Sequence, residues 1–345
     1  MRIALDAMGG DSGPDPIIAG ALAALQEQRS FEIILLGPDD ILRQHLASLG
    51  MAGDIARRLH IEHAPETIGM HESPVDAVRR KKNATIMVGF ELVHAGNADA
   101  VVSAGHSGAT LAAAVKKLGR LKGISRPGIA SLFPTLKQPV MIMDLGANVD
   151  CRPQHLLQFA IMASSCIGKI LQLANPRVGL LSIGEEAGKG NALVKEAHEL
   201  LAASTLNFIG NVEGRDVYQG EVDVIVCDGF VGNISLKVSE GLADAAMQML
   251  RAEILKSLRA KLGYLLIRNA FKNFRKRVDY AEYGGAPLLG INGIGIISHG
   301  KSNAMAIKNA VVVAANMVEK KVNEAIVEAL ARGPLPEPLA VDTAE

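Results

Sequence analysis

Apolar runs that stop at a glycine or a polar residue recur along the whole chain. In order they occupy residues 3–5, 33–37, 100–105, 140–146, 178–184, 222–229 and 294–300. Apolar residues follow one another in these runs instead of alternating with polar residues. The pattern therefore predicts strands that are buried on both faces.

Segments with helical periodicity lie between these runs, at 14–28, 74–95, 108–118, 156–173, 192–203 and 301–327. Strands that alternate with helices predict an α/β fold with three α/β/α layers around a mainly parallel sheet. We expect residues 1–330 to form a single large α/β unit. Residues 331–345, which contain three prolines, are expected to form a disordered tail.

The composition limits the partners of this protein. The chain is 49% hydrophobic and 21% charged, as in a soluble globular protein with a substantial core. It has no Trp, its aromatic content is 3% and its formal net charge is +0. These values argue against a base-stacking surface and against a general polyanion binder. We expect no nucleic-acid partner.

The cysteines and the amino terminus indicate a cytoplasmic protein. The three cysteines have no C-x-x-C spacing, which predicts reduced thiols without a disulfide framework or a zinc site. The first residues lack the apolar stretch of a signal peptide. The 18-residue uncharged run at 283–300 contains six glycines and a proline. Such a composition is typical of loops and strands and unlike a membrane span.

Polar residues gather where the predicted strands end. After the first strand come Asp6, Gly9, Gly10 and Asp11. The two glycines permit a sharp turn and a close approach of the backbone to a ligand, with a carboxylate on either side. Open α/β sheets bind ligands outside the carboxyl ends of their strands. We therefore expect these four residues to form a supporting loop of a ligand site.

A second polar group follows the strand at 100–105 and begins a helix of small residues. It contains Ser103, Gly105, Ser107 and Gly108. Backbone N–H groups at a helix amino terminus favour an anion, and the two hydroxyls add donors. The segment predicts a phosphate site, with close helix–strand packing as the alternative. His106 could donate to an anion or serve a structural role.

The next two strand ends carry Asp144 and Asn148, and then a glycine-rich loop with Lys189. We expect Asp144 to support a loop of the site and Asn148 to bind phosphate. The loop superficially resembles a nucleotide-binding P-loop. Its first two glycines are one residue too close, however, and Gly190 stands where Ser or Thr should follow the lysine. We exclude a nucleoside triphosphatase and expect Lys189 to donate to an anion or an oxyanion.

Asp228 and Asn233 follow the strand at 222–229, next to Cys227. Cys227 has no histidine or cation beside it in sequence, which favours a core thiol over an acyl-accepting nucleophile. The loop that contains His299 follows glycines in the wrong order for a dinucleotide fingerprint, and G-x-G-x-x-G occurs nowhere else. A nicotinamide cofactor therefore receives little support.

A strongly basic segment interrupts this pattern. Residues 251–277 contain nine basic residues and one acid, a charge of +8, so the rest of this neutral chain carries −8. Apolar residues recur at helical spacing on both sides of Gly263. The pattern predicts an amphipathic helical hairpin at about 244–278 with Tyr264, Leu265 and Leu266 at its tip. Such a segment is typical of a membrane-surface contact, and a helix pair that packs in a dimer is the alternative.

Several motifs together resemble the bacterial PlsX family of phosphate acyltransferases, over nearly the whole chain up to about Val327. The motifs are LDAMGGD at 5–11, SPVDAVRRKK at 73–82, SAGHSGA at 103–109, MDLGANVD at 143–150, IGEEAGKG at 183–190, NFIGNVEGRD at 207–216, CDGFVGNISLK at 227–237 and the segment 283–310. His106 and Ser107 stand where that family usually has Asn-Thr.

The resemblance implies transfer of a fatty acyl group from acyl carrier protein to inorganic phosphate. The acyl-phosphate would serve phosphatidic acid and phospholipid synthesis, through a downstream glycerol-3-phosphate acyltransferase. It also implies a fold similar to phosphotransacetylases and isopropylmalate dehydrogenases, a homodimer and peripheral membrane association.

Under this hypothesis Lys189, Asn233 and Asp228 are the candidate catalytic residues, with Lys189 and Asn233 polarising the phosphate or the carbonyl. No cofactor and no metal are expected, since acyl transfer to phosphate needs neither. Asp6, Asp144 and Asp228 would orient hydrogen-bond donors.

Two other classes of function remain open from the sequence. One is an NAD- and metal-dependent decarboxylating dehydrogenase of the same fold class. The other is a non-enzymatic scaffold, which would not need the repeated polar strand ends. A basic run at 79–82 could dock the acidic carrier protein or form a solvated helix face, and the basic residues of the hairpin offer a second docking surface.

Overall fold

A computed structural model describes residues 1–50, 53–278 and 284–332. Its strands are β1 (Arg2–Asp6), β2 (Glu32–Gly37), β3 (Leu59–His63), β4 (Ala100–Ser103), β5 (Gly128–Phe133), β6 (Val140–Met143), β7 (Arg177–Leu181), β8 (Asn207–Val212), β9 (Val224–Val226), β10 (Ala286–Leu289) and β11 (Ile294–Ile297). These described strands form one sheet in the order β3-β2-β1-β4-β11-β10-β5-β6-β9-β7-β8.

The sheet consists of two parallel halves that run in opposite directions. Pairing is parallel from β3 through β11 and again among β6, β9, β7 and β8. Between the halves, β10 and β5 are antiparallel to both of their neighbours. The carboxyl ends of β1, β4 and β11 therefore lie at one edge of the sheet, which we call edge A. The carboxyl ends of β6, β7 and β9 lie at the opposite edge, which we call edge B.

Helices cover both faces of the sheet. They are α1 (Asp15–Glu27), α2 (Asp39–Ser48), α3 (Asp54–Arg58), α4 (Pro74–Arg80), α5 (Thr85–His94), α6 (Ser107–Leu118), α7 (Pro153–Leu171), α8 (Ala192–Ala202), α9 (Gly229–Leu255), α10 (Leu258–Val278), α11 (Ala304–Glu319) and α12 (Val322–Arg332). One core cluster lies under α1, α7, α8, α11 and α12, and the other lies under α4, α5 and α6. The predicted three-layer α/β/α fold is confirmed.

The seven strands predicted from apolar runs all form. The apolar runs did not predict β3, β5, β8 and β10, which lie at the outer edges of the sheet or join its two halves. The helical periodicity predicted one helix at 74–95 and one at 301–327, where the structure has two each. The second break follows from Lys321, whose φ of 52° is incompatible with a continuing right-handed helix.

Two consecutive long helices occupy the predicted hairpin, but the first begins at Gly229 and not at about 244, and the tip was predicted at the wrong place. The turn lies between α9 and α10, at Lys256 and Ser257, and Gly263 lies inside α10. Tyr264, Leu265 and Leu266 therefore lie about two turns into the second helix. Glycine is unfavourable inside a helix by only about 1 kcal/mol, so Gly263 alone does not break α10.

The last described helix, α12, ends at Arg332, so residues 333–345 of the predicted tail lie outside the described residues. Among the described residues, no helix is both long enough and apolar enough to cross a membrane.

Candidate functional site

A buried carboxylate organises the loops at edge A. Asp6 ends β1, and its Oδ2 accepts a hydrogen bond from Ser103 Oγ at 2.7 Å while Oδ1 accepts one from the backbone N–H of Met8 at 3.1 Å. Ser103 Oγ in turn accepts a hydrogen bond from the N–H of Gly105 at 3.1 Å. Burial raises the pKa of Asp6, and these donors act in the opposite direction. Asp6 and Ser103 thus hold two loops together.

The loop after β1 also contacts the loop after β11. The N–H of Asp11 donates to the carbonyl oxygen of Gly300 at 2.8 Å. In the loop after β11, the buried hydroxyls of Ser298 and Ser302 share a hydrogen bond of 2.7 Å, and the N–H of Ser298 donates to the carbonyl oxygen of Ser103. The loops after β1, β4 and β11 therefore form one connected structure at edge A.

The amino terminus of α6 lies within this structure. No side chain of the described residues caps its first turn, so the N–H groups of Ser107, Gly108 and Ala109 are available to an anion. The Nδ1 atom of His106 is buried and has no hydrogen-bond partner in the described structure. The Cε1 atom of His106 lies 3.3 Å from the point where a Cβ added to Gly108 would lie. An anion bound here would meet backbone donors and the Ser107 hydroxyl.

A second buried carboxylate lies at edge B. Asp144 accepts hydrogen bonds from the N–H groups of Ile129, Ala147 and Asn148 and from Asn148 Nδ2, over 2.6–3.2 Å. Burial raises the pKa of Asp144 against these donors. Asn148 Nδ2 also donates to the carbonyl oxygen of Pro127 at 2.8 Å. The Asp144 carboxylate is thus engaged within the protein, as expected for a residue that supports a loop. Asn148 was predicted to bind phosphate, and its Nδ2 is instead engaged with Pro127 and Asp144.

Asp228, Asn233 and Lys189 also lie at edge B. Asp228 caps α9 by accepting a hydrogen bond from the N–H of Val231 at 2.9 Å. Asn233 is exposed, and its side chain lies next to Gly146, where an added Cβ would come within 3.3 Å of it. The Lys189 ammonium is exposed and has no ion-pair partner among the described residues. Lys189 and Asn233 are therefore free to meet a ligand, whereas Asp228 is occupied as a helix cap.

Cys227 is unsuited to be a nucleophile. The side chain is 3% exposed, and burial, with Asp228 and Asp144 nearby, raises the pKa of its thiol well above the ordinary value. The thiolate that would attack an acyl group is therefore disfavoured. The prediction of a core thiol agrees with this geometry.

Within one protomer the structure does not bring all of the candidate residues together. The group at edge A contains Asp6, Gly9, Gly10, Asp11, Ser103, Gly105, Ser107, Gly108 and His299, and the group at edge B contains Asp144, Asn148, Lys189, Asp228 and Asn233. In addition to lying at opposite edges, β4 and β9 are five places apart in the sheet, which is about 24 Å at ~4.8 Å per strand. Ser107 and Lys189 therefore follow strands that run in opposite directions in different halves of the sheet, whereas the sequence-based hypothesis placed both at one phosphate.

Ser298 and Ser302 were not predicted as site residues. His299 between them was predicted to support the site, but it is exposed and its Nδ1 accepts a hydrogen bond from the N–H of Lys301. The two serines are the buried polar residues of this loop. Their spacing of four residues after an apolar strand was the available signal.

A profile of the fatty acid synthesis protein family matches residues 1–325 of this chain. The chain belongs to this family, the PlsX family. Curated relatives extend the agreement. A phosphate acyltransferase of Geobacter sulfurreducens is 54% identical over 329 residues, which cover 95% of this chain and 94% of that protein. A phosphate acyltransferase of Nitratidesulfovibrio vulgaris is 53% identical over 329 residues, with the same coverage.

Solved structures with low sequence identity share the fold of this PlsX-family protein. A phosphotransacetylase from Streptococcus pyogenes superposes with a TM-score of 0.63 at 20% identity and covers 92% of this chain and 94% of its own. A 4-hydroxythreonine-4-phosphate dehydrogenase from Klebsiella pneumoniae gives a TM-score of 0.53 at 15% identity over 92% of this chain and 99% of its own. The predicted relation to phosphotransacetylase folds is confirmed.

Proposed function

We propose that this protein is a phosphate acyltransferase that moves a fatty acyl group from acyl carrier protein to inorganic phosphate. The membership of the family and the curated relatives, named phosphate acyltransferases, support the activity. The dehydrogenase alternative has no such support. In the structure, the uncapped amino terminus of α6 beside the buried Asp6–Ser103 pair is the single feature that carries the assignment of the phosphate site.

The chemistry requires a bound nucleophile, an activated carbonyl and a dry site. A phosphate oxygen attacks the thioester carbonyl carbon, the new C–O bond forms, and the C–S bond breaks to release the carrier protein's thiolate. The N–H groups of Ser107, Gly108 and Ala109 hold the phosphate in line, and His106 Nδ1 offers a further donor. Because burial keeps the thiol of Cys227 protonated, the transfer is direct and passes through no acyl-enzyme.

A homodimer reconciles the two separated groups of residues. In a closed two-fold dimer, edge A of one protomer can face edge B of its partner, and both resulting sites are equivalent. Exposed apolar side chains surround Lys189 and Asn233 at edge B, among them Val149, Ile183 and Phe230. Such a patch suits a protein interface. Lys189 and Asn233 of one protomer would then polarise the thioester carbonyl above the phosphate held by its partner.

The carrier protein is proposed to dock beside α4. The amino end of α4 lies against the phosphate site, since a Cβ on Gly108 would come within 3.1 Å of Pro74 Cγ. At the other end, Arg79 and Lys82 are exposed, whereas Lys81 forms an ion pair with Glu72 at 2.6 Å. Exposed basic residues at this position attract an acidic carrier protein, and this attraction weakens with salt.

We also propose that the hairpin of α9 and α10 touches the membrane from the cytoplasmic side. Apolar side chains near the turn are exposed, with Leu258 at 83% and Leu262 at 63%, and they are flanked by basic residues. Leu258→Glu should abolish sedimentation with anionic vesicles, whereas Ser257→Glu, which adds the same charge next to it, should not. Equal loss in both variants would indicate an electrostatic effect without insertion.

The decisive experiment on the activity uses the purified full chain with acyl-acyl carrier protein and inorganic phosphate. Acyl-phosphate should form, detected by its mass, in proportion to the free carrier protein released. Release of free fatty acid without acyl-phosphate would indicate a thioesterase and overturn the proposal.

A further inference from the structure

A large cavity lies between the α9–α10 hairpin and the carboxyl end of β5. Its volume is about 1480 Å³, which exceeds the roughly 300–1,000 Å³ of common small-molecule pockets. The α9 wall is mostly apolar and includes Leu236, Ala243, Met247, Leu250 and Ile254. A cavity of this size and lining can bury an extended hydrocarbon chain.

Charged residues on the hairpin distinguish this cavity from a purely apolar groove. Arg251, Lys261, Arg268 and Lys272 line it, against two acidic residues, Glu240 and Asp244. Glu240 forms an ion pair with Lys237 at 2.9 Å. The excess of positive charge is complementary to an anionic ligand with an apolar tail.

Part of the cavity lining lies at edge A, where the phosphate site is proposed. Asn303 lines the cavity and belongs to the loop after β11, next to the buried Ser302. The residues 131–136, which form the opposite wall, include the carboxyl end of β5, and this end lies at edge A. The strands β5 and β4 are three places apart in the sheet, about 14 Å at ~4.8 Å per strand. A chain in the cavity can therefore reach a carbonyl near the amino terminus of α6.

We propose that this cavity holds the fatty acyl chain of the substrate and of the acyl-phosphate product. This inference rests on the proposed function and adds the location of the chain to it. The phosphate head remains at the amino terminus of α6, the apolar wall of α9 contacts the chain and measures its length, and the basic side chains of the hairpin attract the anionic product. A second copy of this protein in the same groove is the competing occupant, and the experiment below separates the two.

The absence of Trp from the chain makes the cavity directly testable. Ala243 lines the cavity, whereas Ala252 is exposed on the other side of the same helix. Ala243→Trp supplies a single indole fluorophore inside the cavity, and Ala252→Trp is the matched control. Hexadecanoate should shift the indole emission of Ala243→Trp to shorter wavelength and leave the emission of the control unchanged. Affinity should rise about fourfold per added methylene, until the chain fills the cavity.

The same variants test the role of the cavity in turnover. The added indole occupies part of the cavity, so Ala243→Trp should raise KM at least tenfold for the longest acyl chains and less than threefold for short ones. Ala252→Trp should keep the wild-type profile. If Ala243→Trp fails to fold, which circular dichroism would reveal, Ala246→Trp replaces it because Ala246 also lines the cavity.

Two results would contradict the inference, and a third would separate its failure from that of the proposed function. An unchanged emission with hexadecanoate together with an unchanged chain-length profile would remove the acyl chain from this cavity. An emission shift that depends on protein concentration and not on hexadecanoate would assign the groove to a second copy of the chain. If the wild type forms no acyl-phosphate from any chain length, the proposed function itself fails, and fluorescence alone then reports on the cavity.

Discussion

The hydroxyl of Ser103 donates to Oδ2 of Asp6 at 2.7 Å and joins the ends of two neighbouring parallel strands, β1 and β4. Both side chains are almost completely buried. The same hydroxyl accepts from the N–H of Gly105, so one serine fixes the position of both loops at the proposed phosphate site.

Ser103→Ala should therefore reduce the free energy of unfolding by about 1–3 kcal/mol, because it removes a donor from a buried carboxylate. It should also raise the KM for phosphate, because the loop that leads into α6 loses its anchor. Denaturant unfolding and phosphate titration measure the two effects. Ser235→Ala, which removes a hydroxyl bound to the carbonyl oxygen of Val231 on α9, is the control. Equal stability of the two variants would contradict the role of the pair.

Two adjacent glycines should respond differently to the same change. A Cβ on Gly9 would come within 2.5 Å of Asp6 Oδ2 and 2.8 Å of the backbone N of Gly105, whereas a Cβ on Gly10 meets nothing closer than 3.4 Å. Gly9→Ala should cost about 1–3 kcal/mol through overpacking and disturb the phosphate site. Gly10→Ala should change stability by less than about 1 kcal/mol. Thermal unfolding and the KM for phosphate are measured for both variants, and equal values for Gly9→Ala and Gly10→Ala would contradict this prediction.

Subunit complementation tests whether Lys189 acts on the site of the partner. Ser107→Asp places a carboxylate where phosphate binds, yet an acid at a helix amino terminus does not harm the fold. Lys189→Ala removes the proposed oxyanion donor. Each variant alone should lose roughly two decades of turnover. An equal mixture of reassorted subunits should recover about one quarter of wild-type activity, because half of the dimers are mixed and each has one intact site.

Native mass spectrometry provides the control, since it verifies that mixed dimers have formed. Mixed dimers without recovered activity would exclude a site shared between the two protomers. Lys189 would then act within its own chain or not at all.

His155 makes the stability depend on pH. It lies at the amino end of α7 and is 5% exposed, and burial with nearby Arg126 and Arg152 lowers its pKa from 6.5 to about 4. Between these values the unfolded chain binds a proton that the folded chain does not. The free energy of unfolding should therefore fall as the pH decreases from about 6.5 to about 4.

His155→Gln should reduce the slope of the free energy of unfolding against pH, by up to the amount that corresponds to one bound proton. Urea unfolding at several pH values measures this slope. The raised pKa values of Asp6 and Asp144 make the free energy of unfolding increase as the pH decreases toward 3.8. This contribution is the same in the variant and the wild type, so it cancels when the two are compared. His71→Gln, at an exposed position, should leave the slope unchanged. A slope in His155→Gln equal to that of the wild type would refute the assignment.

The local sequence determined most of the elements and both sets of polar residues. Continuous apolar runs that end in glycine or a polar residue predicted β1, β2, β4, β6, β7, β9 and β11, since strands buried on both faces must be apolar throughout. The same runs located Asp6 and Asp144 at strand ends. The motifs shared with the PlsX family supplied the acyl substrate, which no periodicity could reveal.

Only the tertiary structure decided which strand ends lie together. Strand direction depends on the antiparallel strands β10 and β5, whose short, interrupted segments gave no clear pattern in the sequence. Their pairing reverses the second half of the sheet and carries Lys189 and Asn233 to the edge opposite Ser107. The turn of the hairpin at Lys256 and the cavity beneath it likewise depend on how two long helices pack. Apolar periodicity predicts a buried face, but it does not specify the partner that covers it.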